Sequence, residues 1–383
     1  MRRRTWPAFA LAATAALLAA SCGKSTGTSA TESPSGVTPG TGGSAVGFIM
    51  VGPKDDYGYN QAVYQASQEV GKEFPDLKML TSENIPETAE AVRAMEDLIS
   101  KGAKIIFATS YGHSTAAEEV AKKHPDVVVV HQGGLIKNKM ANYGTYFGTV
   151  YEPVYLAGIA AGAASKTGKL GYVVAFPIPQ TLANVNAFEL GAKVSNPAAK
   201  TTVVFTANWC DPAKQAQAAD SLIGQGVDVL TQHQDCTKTI VEKSEAAGKY
   251  SVGYHSDSSS LAPKGWVTGS EWNWGPLYSG IIKTAVAGTF TGSKYNADYR
   301  EGLRTGSNPF IQSTYGPVVD DAAKKKIAEE EAKLKADGSP FTGPVKDQDG
   351  NEKVPAGKTP TYAEIEQMSY LVEWVEGKIP ASS

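Results

Sequence analysis

Residues 203–235 read VVFTANWCDPAKQAQAADSLIGQGVDVLTQHQD. An apolar run, Val203–Thr206, gives way to a short polar loop. Asp211-Pro212 then supplies a helix N-cap followed by proline at the first helical position, where its missing N–H costs nothing. The helix stops near Gly224–Gly226, and a second apolar run, Val227–Gln232, follows at once. Runs this continuously apolar predict strands buried on both faces. A strand, a helix and a second strand in such close succession predict a parallel pair joined by a right-handed crossover.

The same unit recurs outward in both directions. Strands are predicted at Val46–Val51, Leu77–Thr81, Ile105–Thr109, Val127–His131, Leu170–Ala175 and Ser251–His255, besides the two above. Between them lie amphipathic stretches. In 86–101, Val92, Met95 and Ile99 share one face and Gly102 ends the helix. The eight runs fall into two sets divided near Tyr151–Thr167, so the fold class is α/β with two doubly wound parallel-sheet lobes. Toward the C-terminus, residues 320–337 (DDAAKKKIAEEEAKLKAD) predict a solvated surface helix. Thr361-Tyr362-Ala363-Glu364 has the form of a capping box. It predicts a final amphipathic helix with Ile365, Met368, Leu371, Val372 and Val375 turned inward.

The 383 residues carry a formal net charge of −3, with no basic stripe that would suit nucleic acid. Arg2, Arg3 and Arg4 precede an apolar run, Phe9–Ala20, of export-signal length. Ala19-Ala20-Ser21-Cys22-Gly23 looks like a lipobox, with Ala19 where leucine is usual, and predicts lipidation of Cys22. The alternative is a plain signal peptide with an incidental cysteine. Residues 24–44 hold almost nothing that could enter a core and predict a flexible tether. The expected organisation is a signal peptide at 1–21, lipidated cysteine and linker at 22–44, an N-terminal lobe at 45–151 and a C-terminal lobe at 152–272. Residues 273–383 are expected to supply crossovers and an extension completing both lobes. Cys210 and Cys236 each follow an apolar run. In an exported chain they predict a disulfide if those strands are neighbours, and otherwise two separate buried thiols.

In doubly wound sheets ligands collect beyond the carboxyl ends of the strands. Here those ends gather Tyr59, Ser110, Tyr111, Gln132, Trp209, His233, Asp235, Asp257 and Trp272. Aromatic faces take up a planar ring, while amide and carboxylate groups read its edge. The set suits a flat, neutral, polar ligand such as a nucleobase or nucleoside. It does not suit phosphate, because there is no glycine-rich phosphate loop and arginine is nearly absent from these loops. His113, His131, His233 and His255 are spread over four loops without a close pair, so neither metal nor cofactor is predicted. His255-Ser256-Asp257 holds the residue types of a hydrolase triad, but neighbours on an extended chain point to opposite faces. No G-x-S-x-G elbow is present, and no catalytic residue is assigned.

Several segments together resemble the basic membrane protein (BMP) family of ABC-transporter solute-binding lipoproteins, which includes purine nucleoside receptors. They are VGFIMVGPKDDYGYNQ (46–61), IIFATSYGH (105–113), FPIPQTLANVNAFELGA (176–192), NWCDPAKQAQAADSLIGQGVDVLTQHQD (208–235), PFTGPVKDQDG (340–350) and MSYLVEWVEGKIP (368–380). The resemblance implies a type I periplasmic-binding-protein fold, two lobes joined by a hinge with a purine held between them. By the match to the family's first loop, Asp56 and Asn60 are implied to read the base edge and Tyr59 to stack on it. Trp209 is implied to be a second stacking ring, and Asp257 to take ribose hydroxyls. Where nucleoside binders carry a lysine after the last strand, this chain has Ser270-Glu271-Trp272-Asn273-Trp274. That departure, with the HQD and EWNWGP segments, favours a free purine base over a nucleoside. The implied setting is a monomer anchored by lipid on the extracytoplasmic face of the cell membrane, passing ligand to an ABC permease. The alternatives are a same-fold receptor for a sugar or other polar solute, and an exported nucleoside hydrolase.

Overall fold

The computed structural model describes residues 36, 38–306, 308–337 and 339–380. The predicted export signal, the lipidation site Cys22 and the tether up to residue 35 lie outside the described residues.

The apolar runs form two sheets. The first contains β1 (Ala45–Ile49), β2 (Lys78–Ser82), β3 (Ala103–Ala108), β4 (Val128–Gln132), β5 (Tyr143–Gly148) and β11 (Asp298–Glu301), in the order β11-β5-β4-β3-β1-β2. All its pairings are parallel. The second contains β6 (Lys169–Val174), β7 (Lys200–Phe205), β8 (Val229–His233), β9 (Tyr250–His255), β10 (Trp266–Trp272), β12 (Phe310–Gln312) and β15 (Val375–Glu376), in the order β12-β10-β9-β8-β6-β7-β15. Only β12 runs antiparallel there. A small ribbon of β13 (Val345–Lys346) and β14 (Glu352–Val354) stands apart. Both large sheets share one winding, in which the second strand lies outside the first and later strands add on the other side. Each therefore has a switch point, between β1 and β3 and between β6 and β8, beside which loops diverge and leave a crevice.

Helices α1 (Tyr59–Glu73), α2 (Glu90–Ser100) and α3 (Ser114–Lys123) connect the first sheet; α5 (Pro179–Ser195), α6 (Pro212–Gly224) and α7 (Lys238–Ala246) connect the second. The Asp211 carboxylate accepts a hydrogen bond from the Lys214 N–H at 3.1 Å, capping α6 as the sequence predicts. Gly102, at φ +96°, ends α2. Helix α4 (Tyr151–Ala164) is buried all round, as an apolar helix without a polar face must be. It packs on α5, on β10 and on α9 (Asp321–Asp337). Helix α9 is the predicted charged helix, and it keeps Ala323, Ile327 and Leu334 in the core.

The chain crosses between the sheets three times, at 148–151, 272–275 and 301–310. After the second crossing α8 (Gly275–Val286) packs on α1. The buried Glu152 fastens the first crossing to the third: its carboxylate accepts the Thr149 hydroxyl at 2.6 Å and the Leu303 N–H at 2.7 Å. Aromatic rings fill the space beside the crossings, with Trp272 stacked on Trp274 at 4.2 Å and Phe147 edge-on to Trp272 at 5.1 Å.

Two expectations are corrected. The tether does not extend to residue 44. Pro39 and Gly40 are buried, and the Gly40 N–H donates to the Asp126 carbonyl at 3.0 Å. The final amphipathic helix also does not form. The capping box at Thr361 and Glu364 is made, but α10 spans only Tyr362–Ile365. Met368, Leu371, Val372 and Val375 are buried as predicted, but on extended chain. There Asn186 takes the Tyr370 carbonyl and the Val372 N–H, both at 2.9 Å, and Val375–Glu376 pairs with the open edge of β7. Partners from the body, the Asn186 side-chain amide and the edge of β7, thus outcompete those a helix would supply to itself.

Candidate functional site

The carboxyl ends of the two sheets face each other across a narrow, nearly closed cavity. Its walls are Tyr59, Ser110, Tyr111 and Phe147 from the first lobe and Gln180, Trp209, His233, Asp235, Tyr254, His255 and Trp272 from the second. Among the predicted residues, Tyr59, Ser110, Tyr111, Trp209, His233, Asp235 and Trp272 therefore share one space.

The first-lobe wall is held from behind. The Gln132 amide donates to the Tyr59 hydroxyl at 2.5 Å, and its carbonyl accepts the hydroxyls of Tyr146 at 2.8 Å and Tyr278 at 3.0 Å. The Ser110 hydroxyl is spent on Glu87 at 2.6 Å, and the Ser110 carbonyl accepts from His131 Nε2 at 2.8 Å. Burial pushes the His131 imidazole down to about 4, so it is neutral at physiological pH.

The second-lobe wall differs. Trp272 Nε1 donates to His255 Nδ1 at 2.8 Å, which fixes the tautomer with its proton on Nε2. That Nε2–H has no protein partner, nor does the Nε1–H of Trp209, and both atoms are buried. His255 holds φ at +72°, a strained conformation for a side-chain-bearing residue, and burial keeps its ring neutral. His233, pushed down to about 3 by burial, is held by Asn184, whose Nδ2 lies 3.1 Å from Nδ1. The Asp235 carboxyl is buried among Asp56 and Glu87. Desolvation first, and those charges second, hold it well above the usual carboxylate range. The second lobe thus offers two unanswered N–H donors and a carboxyl beside aromatic faces. Buried donors left unpaired are costly, and these two are placed to meet acceptors on a molecule in the cavity.

Four predicted residues do not line the cavity. Asp56 caps α1, whose N-cap position is Gly58 and has no side chain to do so. Its oxygens accept the N–H groups of Gly58 at 2.8 Å, Asn60 at 3.0 Å and Gln61 at 2.9 Å. Asn60 is fully buried, donating to Asp56 at 2.7 Å and accepting from the Gly52 N–H at 3.2 Å. Asp56 is therefore committed to local structure, and the Asn60 side chain also reaches the Asp235 carboxyl across the cleft. Gln132 stands behind Tyr59. Asp257 is exposed and accepts the Ser259 N–H at 2.8 Å within its own loop. Sequence reasoning missed Phe147, Gln180, Tyr254 and His255. His255 closes a predicted strand, so the strand-end rule that selected His233 would have found it too.

Cys210 and Cys236 are bonded, with Cα atoms 5.0 Å apart. Their strands β7 and β8 are not neighbours, since β6 lies between them; the loops meet over its end. The lobes also touch directly. The Tyr57 carbonyl accepts the hydroxyls of Thr237 and Ser256, each at 2.6 Å. At Gly58 a Cβ would sit 1.7 Å from the Asp235 carbonyl oxygen, so only glycine permits this approach. Among the described residues no group of three His, Cys, Asp or Glu side chains could hold a metal, and no helix is long and apolar enough to cross a membrane.

Residues 44–339 match the family described as ABC transporter substrate-binding protein PnrA-like. The chain belongs to this Bmp family. A purine-binding protein of Brucella abortus is 36% identical to it over 338 residues, covering 88% of this chain and 93% of that one. A Haloferax volcanii protein whose name assigns it glucose binding for an ABC transporter is 29% identical, covering 87% and 81%. A solved ABC transporter solute-binding protein of Aeropyrum pernix superposes with a TM-score of 0.68 at 16% identity, covering 84% of this chain and 96% of that one. The fold is that of the periplasmic binding proteins. Like its family, this Bmp protein is an extracytoplasmic substrate-binding component of an ABC transporter and not an enzyme. The hydrolase alternative ends there.

Proposed function

We propose that this Bmp protein binds a free purine base in the interlobe cavity and delivers it to an ABC permease. The observation that carries the reading is the second-lobe wall: Trp209 Nε1–H and His255 Nε2–H lack partners, with Asp235 between the lobes and aromatic rings around them. A purine has acceptor nitrogens around the rim of a flat ring and an exocyclic group for a carboxyl, so one planar molecule could answer all three. The Brucella relative's name points the same way. Without a lysine after the last strand, and with Asp257 turned to solvent, nothing at the expected place takes up a ribose.

Lobe closure by hinge motion at the three crossings traps the base. At the N-terminus, the Arg2–Arg4 cluster, the apolar run and Cys22 support a mature chain lipid-anchored on the outer face of the cell membrane. Replacing Cys22 by serine should release it from the membrane fraction; retention would count against the anchor.

Titration calorimetry against adenine, guanosine, ribose and glucose tests the ligand class, together with mass spectrometry of what co-purifies. Adenine heat with little from guanosine is the expected outcome. The Haloferax relative's name supports a second reading, a sugar receptor on the same walls. Sugar heat without purine heat would establish that one in its place.

A further inference from the structure

Two cavity residues sit immediately beside the bonded cysteines: Trp209 precedes Cys210, and Asp235 precedes Cys236. They stand on loops that the sheet does not join, because β6 separates β7 from β8. Strands two apart in a sheet are about 10 Å from each other, so no ladder joins the two loops directly. Ala175, just after β6, accepts the Ala207 N–H at 2.9 Å and donates to the His233 carbonyl at 3.1 Å, and beyond those residues the ladder stops. Apart from the bridge, hydrogen bonds within and between these loops contribute to their positions. The Asp235 N–H donates to the Trp209 carbonyl at 2.8 Å, Gln234 Nε2 to the Thr206 hydroxyl at 3.0 Å, and the Cys210 N–H to Asn208 Oδ1 at 2.9 Å. The Trp209 loop is also strained, with Ala207 at φ +53°. A strained loop relaxes unless its surroundings over-determine it.

We infer that the Cys210–Cys236 bond is a positioning element of the ligand site, welding Trp209 and Asp235 into one rigid wall, so that the oxidised chain binds tightly and the reduced chain weakly. The inference rests on the purine reading of the same cavity. Cross-linking two loops narrows the arrangements they can adopt, and a pre-organised wall loses less freedom when the ligand binds. The effect extends across the cleft, because the Asp235 carbonyl is the group that Gly58 of the first lobe approaches. Both cysteines are partly exposed and open to a small dithiol. In that reaction the bridge accepts two electrons and two protons to become two thiols, and the dithiol closes to its own disulfide.

Titration of the full chain with adenine, before and after dithiothreitol and in the Cys210→Ala/Cys236→Ala variant, tests this. The expected result is an affinity loss of about tenfold or more, equivalent to about 1.4 kcal/mol. Unchanged affinity overturns the inference. In a Trp209→Ala background, reduction should cost less than in the parent chain, because the bridge then has less to position; an equal loss overturns the positioning role. Hydrogen exchange gives a readout independent of ligand: amides of 206–211 and 233–237 should speed up on reduction while β6 stays protected. Uniform acceleration over the second lobe would mean a merely structural staple and overturn the inference. Failure of the oxidised chain to take up adenine would instead remove the purine reading, leaving the exchange experiment to judge the bridge.

Discussion

The two walls of the cleft are built on opposite principles. In the first lobe the polar groups at the cavity answer one another: Gln132 occupies three tyrosine hydroxyls, Glu87 takes Ser110, and Asp56 and Asn60 serve the start of α1. In the second lobe two donors at the cavity, Trp209 Nε1–H and His255 Nε2–H, have no protein partner. Under the proposed binding mode the first wall supplies shape and rigidity, and the second supplies recognition. A receptor that must both grip and release gains from this division, since a finished wall changes little when the lobes part.

Acid should expose the largest effect, and it tests whether both walls rest on neutral imidazoles. In the unfolded chain His131 and His233 take up protons near pH 6.5, but in the folded chain only near about 4 and about 3. Between those values the unfolded state binds more protons. Their stabilisation is thus complete above pH 6.5 and lost as pH falls, at up to about 1.4 kcal/mol per pH unit for each group. The second lobe's window reaches further into acid. Buried carboxyls such as Glu189, raised to about 7 by burial, act in the opposite sense. Urea unfolding from pH 7.5 down to 4 is therefore compared with a His233→Asn variant: the parent should decline more steeply, and equal slopes would contradict neutral burial.

Next in size is Gly58→Val, which places a side chain against the Asp235 backbone and bars closure while leaving every cavity residue intact. If only about one molecule in a hundred can then close, affinity falls on the order of 100-fold. Small-angle scattering with adenine should show an open form, whereas ordinary compaction on binding would mean that closure tolerates the side chain. Trp209→Ala on the recognition wall should weaken purine binding by about 1–3 kcal/mol, and unchanged calorimetry would remove Trp209 from the site. The smallest effect on binding is expected from Gln132→Met on the shape wall. Thermal unfolding should reveal about 1–3 kcal/mol of lost stability from stranded hydroxyls, with affinity altered only a few-fold. A binding loss as large as that of Trp209→Ala would abolish the distinction between the walls.

Much of this architecture could be read in the chain because strands such as Val128–Val130 are apolar on both faces and their helices carry caps and stops. Strands β5 (YGTYFG) and β10 (WVTGSEW) escaped notice, since glycine, threonine and serine break the apolar run. The spacing of Ile365, Met368, Leu371, Val372 and Val375 satisfies a helix as well as an extended chain pinned by Asn186, and only the neighbouring open edge of β7 decides between them. At the site, position after a strand picked out aromatic residues that share the cavity. It could not distinguish a carboxylate facing the cavity, Asp235, from one folded back on its own helix, Asp56. That distinction depends on Gly58, whose lack of a side chain leaves the cap to Asp56.

The first sheet is completed by β11, whose Asp298 meets the Thr145 hydroxyl at 2.7 Å across a sequence separation of 153 residues. The earlier lobe therefore waits, with an unfinished border, until the later one has been synthesised. A chain cut short after residue 272 would leave both halves frayed, and neither half can be harvested alone as an intact unit.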